Sequence, residues 1–361
     1  MNSNFIGAYW YIFVAHAIAC AVLSAFIAKF KWRDQGNWFV FGLIGGIFAV
    51  IVLLVVKKLR EPPKNNLLLD ADHHLRSGWR VLLYFVTIIV VYYLLAVLAN
   101  QTRVVPPQSL LFLFYIAVVL ATVLMLRFVD KRKFISIGFP SHGKIWKEIS
   151  LGFLIGSLLI GIVAAAELSV GALKLTIRPG VGVVLLLRNF SLSFIFFAYF
   201  AIGEELIFRG YPFQALIQGM GQVAATILMS MIFGILHLAN PDANFFSTVN
   251  TVLAGVLLSV AYLKTRTLYF PFGLHFAWNF VQSFLLSLPV SGLLTNRTLF
   301  IPTDYGPDWL TGGRYGPEAG IGTTVVMAAA IMYFIFEKRM RPAYDYVVLS
   351  ARVAVEQVQP K

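Results

Sequence analysis

Glu204 and Glu205 stand side by side after the apolar run LSFIFFAYFAIG, and Arg209 follows four residues beyond Glu205. Farther along the chain, Phe233 precedes His237 by four residues and His275 precedes Asn279 by four. Ionisable side chains at membrane depth cost about 2.5–3.5 kcal/mol each on the insertion scale, so they face a protein interior or a water-filled cavity. Gathered in one cavity, a carboxylate, two imidazoles and a carboxamide can activate a water and stabilise charge on a carbonyl oxygen.

Spacing separates the two acids. Glu205 and Arg209 at i,i+4 share a helix face, with the acid on the favourable N-terminal side. That pattern is first of all an internal ion pair. Glu204 is turned about 100° around the helix, away from this arginine, and is the acid left for chemistry. Desolvated carboxyl groups without a partner ion exchange protons closer to neutrality. Phe233 and His237 also share a face, where the ring walls the imidazole. The bland reading of His237 is a hydrogen-bonded core residue. His275 and Asn279 can donate toward one point, which suits an anionic oxygen; a polar contact between helices is the alternative. Glu204, His237 and His275 also make a possible His₂Glu zinc set. No HExxH motif is present and the two histidines lie on separate segments, which counts against it. The expectation is a metal-free, cofactor-free site in which Glu204 activates water, with zinc on those three residues as the alternative.

These side chains need helices in a membrane to position them. The chain of 361 residues is 59% hydrophobic and 12% charged, with a mean hydropathy of +0.80, whereas soluble domains carry about 25% charged residues. Runs near the length of about 20 residues that a span requires fall at 5–28, 38–56, 81–99, 109–129, 149–171, 183–203, 222–240, 246–263, 270–289 and 321–336. No strand alternation supports a barrel. The expected fold is an all-α, multi-pass transmembrane bundle of about ten spans, with its catalytic core in the second half. The first run, from Phe5 to Ala28, is long enough to span the membrane rather than be removed as a signal.

The net charge of +13 sits between apolar segments, where the positive-inside rule accounts for it, so no nucleic-acid partner is expected. The lone Cys20 excludes an intrachain disulfide. Breaks at EPPK, VVPPQ, RPG, NPD and YFPFG suggest two leading helices over 1–60, a polar cytoplasmic linker over 61–80, a transmembrane core over 81–340 with the motifs inside 180–290, and a cytoplasmic tail over 341–361. Lys57, Lys58, Arg60, Lys64, Arg76 and Arg80 in one loop and Lys131, Arg132, Lys133, Lys144 and Lys147 in another place both loops in the cytoplasm. Lys29, Lys31 and Arg33 disagree with that orientation. The segment from Val290 to Gly320 is then outside, and reads as a solvated cap.

EExxxR, FxxxH and HxxxN in this order on successive hydrophobic segments, as Glu204-Glu205 with Arg209, Phe233 with His237, and His275 with Asn279, resemble the CPBP family. That family comprises CAAX-type prenyl-protein peptidases and bacteriocin-processing enzymes, and is also called the Abi family. The resemblance covers about residues 180–290. It implies an intramembrane endopeptidase of multi-pass type, in the plasma membrane if the source is a bacterium. The implied substrate is a peptide or a membrane protein, prenylated proteins among the candidates. Glu204 would be the general base and His237 would help to activate water. His275 and Asn279 would stabilise the oxyanion, while Glu205, Arg209 and Phe233 support the site. Some members have been described as metallopeptidases, which keeps zinc open. The competing class is a proton- or ion-coupled transporter using the same Glu and His residues. Against it, transporters often show two related halves, and here the polar residues crowd into one. A membrane scaffold would leave Glu204 without a role.

Overall fold

The computed structural model describes residues 3–59, 68–69, 74–102, 110–141, 143–293, 299–340 and 342. Apolar runs fold here as helices because hydrocarbon offers the backbone no partner outside the segment itself. In chain order they are α1 (Ser3–Phe30), α2 (Gln35–Val55), α3 (Ser77–Thr102), α4 (Leu110–Leu124), α5 (Ile145–Ser169), α6 (Val183–Arg209), α7 (Tyr211–Met220), α8 (Gln222–Leu236), α9 (Phe245–Thr265), α10 (Tyr269–Phe280), α11 (Asp308–Thr311) and α12 (Ile321–Phe336). Among the described residues, seven helical stretches are long and apolar enough to cross a membrane, and Val14–Phe30 and Ile321–Phe336 are shorter apolar helices. The chain is a multi-pass integral membrane protein. Each of the ten expected spans falls on a helix. Two details differ from expectation: Val183–Met220 counts as one long stretch that includes α7, and the run at 270–289 becomes the twelve-residue α10 followed by a π turn, Val281–Leu285.

The chain forms two compact units. One takes the described residues up to Phe134 with Tyr211–Leu228. In it α1 packs on α2, α2 on α3, and α3 on α4 and α7. Gly42 permits the first crossing, since a Cβ there would lie 2.5 Å from the Cys20 carbonyl oxygen. Arg80, expected in a polar linker, is instead buried at the start of α3. It pairs with Asp130 and donates to Gln218 at 2.6 Å and to the Tyr211 hydroxyl at 3.3 Å. The charge is tolerated because its donors are engaged. Most of the remaining linker, and the tail from residue 343, lie outside the described residues.

The second unit takes Ile135–Gly210 and the described residues from Met229 onward. Its centre is α10, which packs against α5, α6 and α9. Gly152 and Gly156 on α5 and Gly273 on α10 make the α5 crossing close. A Cβ at any of the three would come 2.3 Å from a carbonyl oxygen of the other helix. Such small-xxx-small spacing is how helices approach without a hydrophobic drive between them. Rings of Phe194 and Phe276 meet edge to face at 4.9 Å, and Phe190 meets Phe280 at 5.5 Å, which seats α10 on α6.

The segment read as a solvated cap is built more tightly than that. Strand β1 (Leu173–Ile177) pairs antiparallel with β2 (Phe300–Asp304), from Leu173 opposite Asp304 to Ile177 opposite Phe300. Beyond β2, Thr311, Tyr315, Pro317, Glu318 and Ala319 are buried. The reason is hydrogen bonding to α9: the Asn250 amide donates to the carbonyls of Glu318 at 2.8 Å and Gly320 at 3.0 Å. Gly316, with φ 98° and the Pro289 carbonyl 2.4 Å from where a Cβ would stand, allows the turn to fold back.

Candidate active site

The site is built on the last turns of α6. Glu205 is fully buried, and Arg209, one turn on, donates to its Oε1 at 3.1 Å. The same guanidinium donates to the Gly255 carbonyl of α9 at 3.1 Å and lies over the Phe233 ring of α8, 5.0 Å from its centroid. Phe208 meets that ring edge-on at 4.8 Å. A carboxylate, a backbone carbonyl and a π face therefore hold one buried cation, each an accepted partner for guanidinium. Gly255 makes room for this: a Cβ would come within 2.9 Å of Ser230 Cα.

α10 brings His275 to the same carboxylate. Its Nδ1 stands 2.9 Å from Glu205 Oε1, and since an ionised carboxylate only accepts, Nδ1 carries the proton and donates. The other ring nitrogen, Nε2, lies 3.8 Å from Glu204 Oε2. That separation is too long for a hydrogen bond but leaves both acids on one imidazole. The two acids differ in access: 21% of the Glu204 side chain is exposed against 0% for Glu205. Asn279, one turn beyond His275, is half-buried.

His237 closes α8 and opens the 3₁₀ turn His237–Ala239. Its Nδ1 lies 2.8 Å from the Phe233 carbonyl and donates to it, which leaves Nε2 as the nitrogen that can carry the lone pair. The Phe233 ring is 4.5 Å from the His237 ring and 6.4 Å, edge-on, from that of His275. The structure thus draws Glu204, Glu205, Arg209, Phe233 and His275 into one contact group. His237 joins it through Phe233, and Asn279 through its place on α10. Among the described residues, no three His, Cys, Asp or Glu side chains are grouped to hold a metal ion.

Three contributors were not named from the sequence. Gly255 takes the Arg209 bond through its carbonyl, which carries no residue-type signal. The glycine pair at Gly152 and Gly156 was readable as GFLIG, a small-xxx-small pattern. Glu318 is buried and accepts from the Trp278 indole at 3.2 Å, and an acid just ahead of an apolar helix gave little hint of that.

Residues 186–281 match a family model described as Rce1-like, the type II CAAX prenyl endopeptidase Rce1-like family. That stretch contains all seven residues singled out from the motifs. The chain is also 26% identical over 203 residues to the uncharacterized protein YyaK of Bacillus subtilis (strain 168), an alignment taking in 52% of this chain and 63% of that relative. No solved structure matches the chain.

Proposed function

We propose, on the premise that residues 186–281 form an Rce1-like domain within a multi-pass membrane protein, that this chain is an intramembrane endopeptidase. It would hydrolyse a peptide bond of a membrane-associated or lipidated substrate with a water activated by Glu204. The observation that carries the reading is the placement of both acids on one imidazole: Glu205 at Nδ1 and Glu204 on the Nε2 side of His275.

In this scheme water gives a proton to Glu204 as its oxygen attacks the scissile carbonyl carbon. His237 Nε2 accepts the second water proton as a hydrogen bond and so aims the nucleophile. The tetrahedral oxyanion accepts from the Asn279 amide; His275, expected to share that task, is given the orienting role instead because its Nδ1 proton is engaged by Glu205. Glu205, held by Arg209, fixes the tautomer and tilt of His275, an orienting task that buried carboxylates perform for catalytic imidazoles. When the tetrahedral intermediate collapses, the proton held by Glu204 passes to the leaving amine. Between the two transfers the protonated Glu204 carboxyl lies on the Nε2 side of His275, whose lone pair can accept from it.

The test uses the full chain in proteoliposomes with three quenched-fluorescence peptides of one sequence. One is farnesylated at a CAAX cysteine, one carries a fatty acyl chain, and one is unlipidated. Cleavage of a lipidated peptide by the native protein, and its loss in Glu204→Gln, is the expected result. A correctly folded native protein that cleaves none of the three, or a Glu204→Gln variant that cleaves as well as native, would sink the reading.

A further inference from the structure

The geometry points to Glu318 as a positioning residue for this site, acting through Trp278 on the helix that carries His275 and Asn279. The activity arm of its test rests on the peptidase reading above; the spectroscopic arm does not.

Glu318 lies outside residues 186–281, the stretch matched by the family model. Its side chain is buried, and burying a carboxylate is costly unless donors satisfy it. Here three donors do. The Trp278 indole reaches Oε1 at 3.2 Å, and the Ser291 backbone N–H and hydroxyl reach Oε2 at 2.6 and 2.9 Å. The backbone around it is tied as well. The Asn250 amide that grips the Glu318 carbonyl accepts in turn from Thr324 at 2.6 Å. Burial pushes the Glu318 carboxyl above its ordinary value, while its donors on Ser291 and Trp278 and the neighbouring His237 pull the other way. A loop could close over this spot with a neutral residue; an acid held from two separate segments is an anchor.

α10 needs such an anchor. It has only twelve residues and, among the described residues, no side-chain cap at its N-terminus. It runs directly into the π turn Val281–Leu285, where helical register changes. Its rotation is therefore set by lateral contacts. The Gly273 crossing on α5 is one. The Trp278 bond to Glu318 is a polar one beside that of His275 to Glu205, three residues after His275 and one before Asn279. A rotation that broke it would swing the His275 ring off Glu205.

The spectroscopic probe is the strongly deshielded Nδ1–H proton that His275 donates to Glu205, observed by NMR in detergent and assigned by its absence in His275→Gln. Glu318→Gln, which keeps an acceptor for Trp278, should retain this resonance. Glu318→Leu should lose it, and so should Trp278→Phe, which removes the donor without disturbing charge and serves if Glu318→Leu fails to fold. On a cleaved peptide, Glu318→Leu should lower kcat by up to about a hundredfold, as small misplacements of reacting groups do, with little change in KM. A resonance unmoved in both Glu318→Leu and Trp278→Phe would overturn the proposal, since a purely structural role would reduce yield or melting temperature and leave His275 in place. A native protein that shows the resonance but cleaves no peptide would count against the peptidase reading alone.

Discussion

His275 donates from Nδ1 to the Oε1 of Glu205 at 2.9 Å across 70 positions of sequence, at an oxygen that also accepts from Arg209. Glu205 is therefore more than the counter-ion that its spacing from Arg209 suggests, since the same oxygen holds the imidazole. Glu205→Gln should damage both roles. Removing one partner of a buried ion pair costs about 3–5 kcal/mol, so a large drop in melting temperature in detergent is expected. Any folded fraction should also show reduced cleavage because His275 loses its orienting charge. A variant with native stability would contradict the pairing seen here.

Glu204 should behave differently. It is partly accessible, and Arg209 bonds to its neighbour. Glu204→Gln should fold and insert like the native chain while cleavage falls by about 10²–10⁴, the range contributed by a positioned general base. The measurement is turnover per folded molecule, with thermal unfolding as the control.

Asn279→Ala tests the oxyanion role. The amide is half-buried, so its removal should leave stability near native. Loss of an oxyanion donor costs about 10²–10³ in kcat, with KM little changed. A change confined to KM would assign Asn279 to substrate binding instead.

The α5–α10 crossing offers a test of what seats His275. Gly156→Val puts a side chain where the Leu274 carbonyl oxygen stands 2.3 Å from the first added carbon. Overpacking of this kind costs about 1–3 kcal/mol, and the site should loosen with it. Gly161 on the same helix has open space at that position, so Gly161→Ala is the control and should be neutral or slightly stabilising.

Zinc is tested directly. With Glu204 as the base and no metal in the scheme, activity should survive strong chelation and dialysis, and elemental analysis should find no stoichiometric metal. Loss of cleavage on chelation, restored by zinc and not by magnesium, would assign Glu204, His237 and His275 as ligands instead.

Much of this protein is legible in its sequence because the solvent leaves so few choices. A membrane requires apolar runs of span length to be helices, and each of the ten runs falls on a helix, although the run at 270–289 yields only the short α10 and a π turn. The cost of burying charge likewise marks Glu204, Glu205, Arg209, His237 and His275 as residues that must find one another or water. The i,i+4 spacing of Glu205 and Arg209 identifies their pairing, because a helix puts such residues on one face whatever surrounds it. What spacing could not supply is any relation across helices. The bond from His275 to Glu205, the carbonyl of Gly255 under Arg209 and the grip of Glu318 on Trp278 depend on how α6, α9, α10 and the residues after β2 pack. The segment from Val290 to Gly320 reads as solvated for the same reason. Its glycines, prolines and acids are turn-forming and polar in isolation, and only packing supplies the partners, Asn250 on α9, Trp278 on α10 and Ser291 from the segment's own first turn, that allow Glu318 to be buried.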